Sequence, residues 1–139
     1  MLQFLFDTDH LTLFQHSHPS VMARLVLLPP VSVGISPISM EEALRGRLAQ
    51  IARAKSGYLR IQAYAHFVAT VQLLFQLPIV AFDFASEGHF QQLRSLGLRV
   101  GTQDLKIAAV AKANNLTLLT RNRADFSRIP GLIIANWSV

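Results

Sequence analysis

The chain has 139 residues, 51% of them hydrophobic and only 15% charged, which is enough apolar matter for one core and too much for a disordered chain. Six prolines and seven glycines without a low-complexity tract exclude collagen-like and linker architectures, and the absence of cysteine removes disulfides, thiolate zinc sites and thiol catalysis, so an intracellular, cytoplasmic address is expected. Thirteen Lys and Arg against eight Asp and Glu give a net charge of +5, a balance that attracts polyanions, nucleic acid being the commonest.

The start, Met1 to Asp7, carries no basic segment and meets a carboxylate early, so it does not read as a secretory signal. Gln3–Phe6 is a short apolar run that reads as a first strand ending at Asp7. His16 and His18 alternate before Pro19 and read as loop, and Val31–Ile35 is a second strand. Ser39 and Glu42 have the spacing of a capping box, which places a helix start near Ser39. Ile61, Tyr64, Ala65, Val68, Val71 and Phe75 recur at three and four, predicting the packing face of a long helix over Gly57–Gln76. The longest apolar stretch, Phe67–Phe82, is broken by Gln72, Gln76 and Pro78 and is shorter than the roughly 20 residues of a membrane span. No membrane partner is expected.

Ile79–Phe82 after Pro78 reads as a third strand, Gln103–Asn114 as a helix, and Thr117–Thr120 and Leu132–Ala135 as the last two strands. Phe4, Phe6, Phe67, Phe75, Phe82 and Phe84 are expected in the core, and Trp137 against the last strand. Apolar runs without polar alternation suit strands buried on both faces, and their alternation with helices predicts an α/β domain with a parallel sheet. No break in composition divides the chain, so residues 1–139 are treated as a single domain.

Most acidic residues follow a strand or open a helix: Asp7, Glu41, Glu42, Asp83, Asp104 and Asp125. In a parallel sheet the C-terminal strand ends share one edge, where such folds place their ligands. Carboxylates from distant parts of the chain can therefore converge there. Several within a few ångströms repel unless a cation compensates, and an all-oxygen set suits Mg²⁺, with Mn²⁺ as the alternative, and argues against zinc. A carboxylate in a helix's first turn is also favourable through the helix dipole alone. His10, His16, His18, His66 and His89 contain no i, i+4 pair, so a histidine metal site is set aside.

Taken together, Leu5-Phe6-Asp7-Thr8, Ser39-Met40-Glu41-Glu42-Ala43-Leu44-Arg45-Gly46, Asp104 with Ile107-Ala108-Ala109, and Thr120-Arg121-Asn122-Arg123-Ala124-Asp125-Phe126 resemble the PIN-domain ribonucleases of the VapC toxin kind. The ending Ile129-Pro130-Gly131-Leu132 through Asn136-Trp137 is similar to that family's close, and the likeness is thinnest between Arg53 and Ser95. The resemblance implies a three-layer PIN-like domain, with a central, mostly parallel sheet of four to five strands flanked by helices. It implies a metal-dependent endoribonuclease, the toxin of a toxin–antitoxin pair, acting on RNA and on tRNA in the usual case. A homodimer and inhibition by a cognate small antitoxin are implied as well.

It carries over four catalytic acids: Asp7, Glu42 (chosen over Glu41 by its spacing to Gly46), Asp104 and Asp125. Asp7 and Asp104 are then expected to hold the metal. Thr8, Thr120 and Asn122 are the supporting residues, and Arg45, Arg47, Arg121 and Arg123 the expected grip on the RNA backbone. Asp9 stands where the family usually has an uncharged polar residue, and Asn122 is not ionisable.

Three alternatives start from the same residues. Asp7-Thr8-Asp9 resembles the opening of haloacid-dehalogenase-type phosphohydrolases, but the required acidic pair is missing and Lys106 and Lys112 fall in a predicted helix. A phospho-acceptor receiver domain needs a lysine after the fifth strand, where this chain has Asn136-Trp137-Ser138. A non-catalytic, partner-binding PIN domain has little motive when all four acids are present.

Overall fold

The computed structural model describes residues 1–139. Its elements run β1 (Phe4–Phe6), α1 (Thr8–Gln15), α2 (Pro19–Leu25), β2 (Val33–Ile35), α3 (Pro37–Arg53), α4 (Gly57–Leu74), α5 (Phe84–Ser95), α6 (Thr102–Ala113), β3 (Thr117–Leu119), α7 (Arg123–Phe126) and β4 (Ile134–Ala135). The four strands form one sheet in the order β2-β1-β3-β4, and every pairing is parallel. Strand and helix alternate as the sequence predicts, and no helix is long and apolar enough to cross a membrane.

The pleat sorts alternate residues to two cores. Leu5 and Leu118 face one side, where Phe90 and Leu93 of α5 and Leu105 to Ala111 of α6 cover them. Phe6 and Leu119 face the other, packed with Leu11 of α1, Val21 of α2, Leu74 of α4 and Trp137. Helices thus lie on both faces of a sheet whose central strands are buried at Leu5, Phe6, Leu118 and Leu119, giving three layers. Gly34 sits in β2 where backbone crowds it: a Cβ there would lie 2.9 Å from Val80 Cγ2 and 3.0 Å from the Pro78 carbonyl oxygen.

Three local expectations need correction. Ile79–Phe82 is not a strand: it touches the sheet through a single bridge, Ile35 to Ile79, before Asp83 caps α5. α3 begins two residues before Ser39, because Ser36 accepts the Ser39 N–H and Pro37 takes the first helical position, where its missing N–H costs nothing. His16 and His18 lie in the loop that the sequence predicts: the turn between α1 and α2 falls at Ser17, with a positive φ of 52°, and Pro19 then opens α2.

The third concerns α4. Its length is as expected, but the face marked by Ile61, Tyr64, Val68 and Phe75 points outward, and Ala63, Thr70 and Leu74 are the buried positions. The helix is apolar nearly all round, so periodicity could not tell its inner face from its outer one. Phe75 and Phe84 likewise leave the core, Phe84 being 98% exposed.

Candidate active site

The C-terminal edge of the sheet gathers carboxylates from four stretches of chain. Asp7 ends β1 and caps α1: its Oδ1 accepts the His10 N–H at 2.7 Å, while its own N–H donates to the Leu119 carbonyl at 3.0 Å, tying it to β3. It is almost fully buried. Glu42 comes from the second turn of α3 and is reached by the Thr8 hydroxyl, which donates to Oε1 at 2.6 Å and lies 3.0 Å from the Ser39 hydroxyl. Asp104 lies in the first turn of α6. Asp125 lies in α7 and is braced by Asn122, whose side-chain amide donates to Oδ2 at 3.0 Å while its oxygen accepts the Asp125 N–H at 3.3 Å.

The electrostatics register their proximity. The half-buried Asp104 carboxyl is pushed up to about 6, first by burial and then by the charges of Glu42, Asp7 and Asp125. Glu42, Asp7 and Asp125, the other three acids named from the sequence, thus each lie within electrostatic reach of Asp104. Glu41 does not join them. It points outward, pairing with Arg45 at 2.6 Å and accepting from Gln103 at 3.0 Å. Asp83 sits apart, exposed, as the cap of α5, and the Ser86 N–H and hydroxyl hold its carboxyl below the usual range.

Asp7, Asp9 and His10 form a second grouping, with potential ligand atoms within 4.8 Å of one another. Two of these three are engaged elsewhere. Arg121 donates to Asp9 through Nε and Nη2, both at 2.6 Å, which holds the Asp9 carboxyl low. His10 accepts the Trp137 N–H on Nε2 at 3.1 Å. Asp7 therefore belongs with the four-acid cluster. That donor set is all oxygen, and the countercharge it lacks is what a hard divalent cation supplies, so the residues fit a metal of that class.

The supporting residues divide. Thr8 reaches a site carboxylate, whereas Thr120 is fully buried and its hydroxyl accepts the Asn122 N–H at 2.9 Å, shaping the turn that leads to Asp125. Of the four arginines, Arg121 and Arg45 are already paired and Arg123 is exposed. Arg47 is preset: Nε donates to the buried Thr70 hydroxyl at 2.9 Å and Nη1 to Gln50 at 3.2 Å. It lines a cleft of about 450 Å³ between α1 and α3 that begins at Thr8 and Glu42 and ends at Arg53. Sequence reasoning passed over His10, which has no motif signal beyond its place one turn after Asp7.

Comparison with known proteins bears on the family and the fold. The model of the PIN domain family matches residues 6–132. The "tRNA(fMet)-specific endonuclease VapC" of Salmonella typhimurium is 26% identical over 142 residues, covering 99% of each chain. "Ribonuclease VapC2" of Rickettsia felis is 41% identical over 68 residues, a match spanning 46% of this chain and about half (51%) of that relative. Among solved structures, DNA-bound VapBC from Salmonella typhimurium superposes with a TM-score of 0.79 at 26% identity, covering 99% of both chains. VapBC2 from Rickettsia felis, bound to a promoter DNA fragment, gives 0.75 at 29% identity, covering 98% of this chain and 99% of that one. These matches favour the nuclease over the phosphohydrolase and receiver alternatives.

Proposed function

The chain belongs to the PIN-domain family, and from that premise we propose that it is a metal-dependent endoribonuclease, the toxin of a toxin–antitoxin pair, hydrolysing RNA phosphodiesters with Asp7, Glu42, Asp104 and Asp125. The observation that carries this reading is the convergence of Glu42, Asp7 and Asp125 on the Asp104 carboxyl, which burial first and then their charges push up to about 6, a crowding that stability alone would not retain. Mg²⁺ is the assigned cofactor, held by Asp7 and Asp104, with Mn²⁺ as a functional substitute.

A bound Mg²⁺ supplies a water acidic enough to attack near neutral pH and a counterion for the oxygen leaving phosphorus. The protein supplies position and charge. Oδ1 of Asp7 is fixed by the N-terminus of α1, which orients its carboxylate. Thr8 holds one oxygen of Glu42, and Asn122 holds one of Asp125, so both acids present their remaining oxygens with little rotamer freedom to lose. Arg47 and Arg123 contact the RNA backbone on either side, Arg47 because its guanidinium is preset over the cleft that starts at Glu42. Arg45 and Arg121 reach phosphate only by exchanging a carboxylate partner for it.

Transfer RNA is the substrate class to test first, since the relative that spans the chain is named for cleaving tRNA(fMet). A small antitoxin encoded alongside is the expected inhibitor, because the solved neighbours are VapBC pairs. The outward apolar face of α4, with Ile61, Tyr64 and Val68, suits a second copy of the chain, and a cytoplasmic setting suits all three partners.

The test is cleavage of a bulk tRNA pool by metal-cleaned protein with Mg²⁺ or EDTA. Cleavage is expected with Mg²⁺ only, and Asp7→Asn and Asp104→Asn should each reduce it at least a hundredfold with unchanged circular dichroism. Full activity in EDTA, or in either variant, refutes the assignment.

A further inference from the structure

His10 is completely buried in the first turn of α1, three residues after its cap Asp7. Its Nε2 accepts the Trp137 backbone N–H at 3.1 Å, so that nitrogen carries a lone pair and not a proton. A neutral imidazole has one N–H, which must then sit on Nδ1. Nδ1 has no hydrogen-bond partner and faces Asp7 Oδ1 at 3.5 Å, just beyond a formed hydrogen bond. The ring is held in that orientation by Phe6, stacked at 6.4 Å with planes 28° apart. The same Oδ1 accepts the His10 backbone N–H at 2.7 Å. Two donors of one residue thus converge on one carboxylate oxygen, and neither engages Oδ2.

We propose that His10 is a positioning residue: locked as the Nδ1–H tautomer by the Trp137 amide, it fixes Oδ1 of Asp7 and keeps Oδ2 free for the cluster with Glu42, Asp104 and Asp125. The chain's C-terminal segment is thereby coupled to the proposed catalytic acids through one imidazole. An N–H on the far oxygen of a ligand carboxylate restricts its rotation, and outer partners of this kind set metal affinity. This inference rests on the proposed nuclease reading but is measurable without RNA.

Two substitutions separate positioning from simple anchoring of the C-terminus. In His10→Asn the side-chain amide can stand where Nδ1 stands, keeping a donor toward Asp7 and losing the Trp137 contact. In His10→Gln the side chain reaches toward Trp137 and loses the donor toward Asp7. Mn²⁺ affinity, read by water-proton relaxation on metal-cleaned protein, should weaken about tenfold in His10→Gln and stay within threefold of wild type in His10→Asn. On tRNA, kcat should fall in His10→Gln while KM stays within twofold.

A long-range proton–nitrogen correlation spectrum of the wild-type protein should show the His10 ring as the Nδ1–H tautomer. Equal losses in both variants, the reverse order, or an Nε2–H tautomer overturns the proposal. If neither variant folds, the wild-type spectrum decides it. Wild-type protein that binds no Mn²⁺ but shows the expected tautomer sinks the metal reading, and with it the positioning role, on separate grounds from a wrong tautomer.

Discussion

Asp104→Asn removes the most strained charge in the molecule without changing its shape, and it should make the metal-free protein more stable. In the unfolded chain an aspartate gives up its proton near 3.8, whereas the folded Asp104 keeps it until about 6. Between those values the folded state binds more protons than the unfolded one, so stability falls as pH rises through the window and stays reduced above it. A displacement from 3.8 to about 6 corresponds to about 3 kcal/mol at about 1.4 kcal/mol per pH unit. The group is only half-buried, and solvent screening brings this to about 1–2 kcal/mol. Asparagine carries no charge to penalise. In EDTA at pH 7.5, Asp104→Asn should therefore melt about 3–8 °C above wild type, and the gap should close below pH 4, where both side chains are neutral. Saturating Mg²⁺ should raise the wild-type midpoint more than that of the variant, because binding to the folded state alone stabilises it. A variant that melts at or below wild type in EDTA, or a gap that does not depend on pH, would refute the claim that these four carboxylates repel one another.

Other perturbations read other parts of the structure. Asp9→Asn releases Arg121 from its bidentate partner, so RNA binding should tighten and its log–log salt slope should steepen by about 0.7, the contribution of one further phosphate contact on a single strand; fluorescence anisotropy at several salt concentrations measures both. Gly34→Ala puts a methyl 2.9 Å from Val80 Cγ2 and 3.0 Å from the Pro78 oxygen, and urea unfolding should show a loss of about 1–3 kcal/mol. Val68→Glu charges the outward face of α4, so sedimentation should shift toward monomer while the circular dichroism spectrum stays unchanged.

The sheet was legible because its strands are buried on both sides, which makes them short uninterrupted apolar runs: Leu5-Phe6 and Leu118-Leu119 could not be mistaken for surface. The same logic overreached at Ile79–Phe82, where an apolar run after proline makes only one bridge before the chain turns into α5. Ser39 looked like a cap because a glutamate follows at the right distance, but Ser36-Pro37 offers both a cap and a residue preset for the first turn, and the Ser39 hydroxyl pairs with Thr8 instead. Strand ends and helix starts singled out Asp7, Glu41, Glu42, Asp83, Asp104 and Asp125, and the resemblance to PIN-domain ribonucleases narrowed these to Asp7, Glu42, Asp104 and Asp125. The Asp9–Arg121 pair spans 112 positions and the His10–Trp137 bond 127, and nothing local in the sequence signals either.

The placement of the four acids also explains why the fold tolerates them. Asp7 caps α1, and Asp104 and Asp125 sit in the first turns of α6 and α7, where helix N–H groups and dipoles favour negative charge. Asp7 accepts the His10 backbone N–H, Asp125 the Asn122 side-chain amide, and Glu42 the Thr8 hydroxyl. Asp104 alone among the four has no such hydrogen bond, and it is the carboxyl pushed up to about 6. The uncompensated charge of the cluster is therefore concentrated at one oxygen pair, on the first turn of a rigid buried helix. A divalent cation gains most where the protein's own donors have left the largest deficit, so Asp104 is the side chain whose loss should weaken metal binding most, ahead of Glu42 and Asp125. Isothermal titration with Mn²⁺ across the four Asp→Asn and Glu→Gln variants ranks them directly; a ranking with Asp104 last would mean that the helix N-termini, and not the bound ion, carry the compensation.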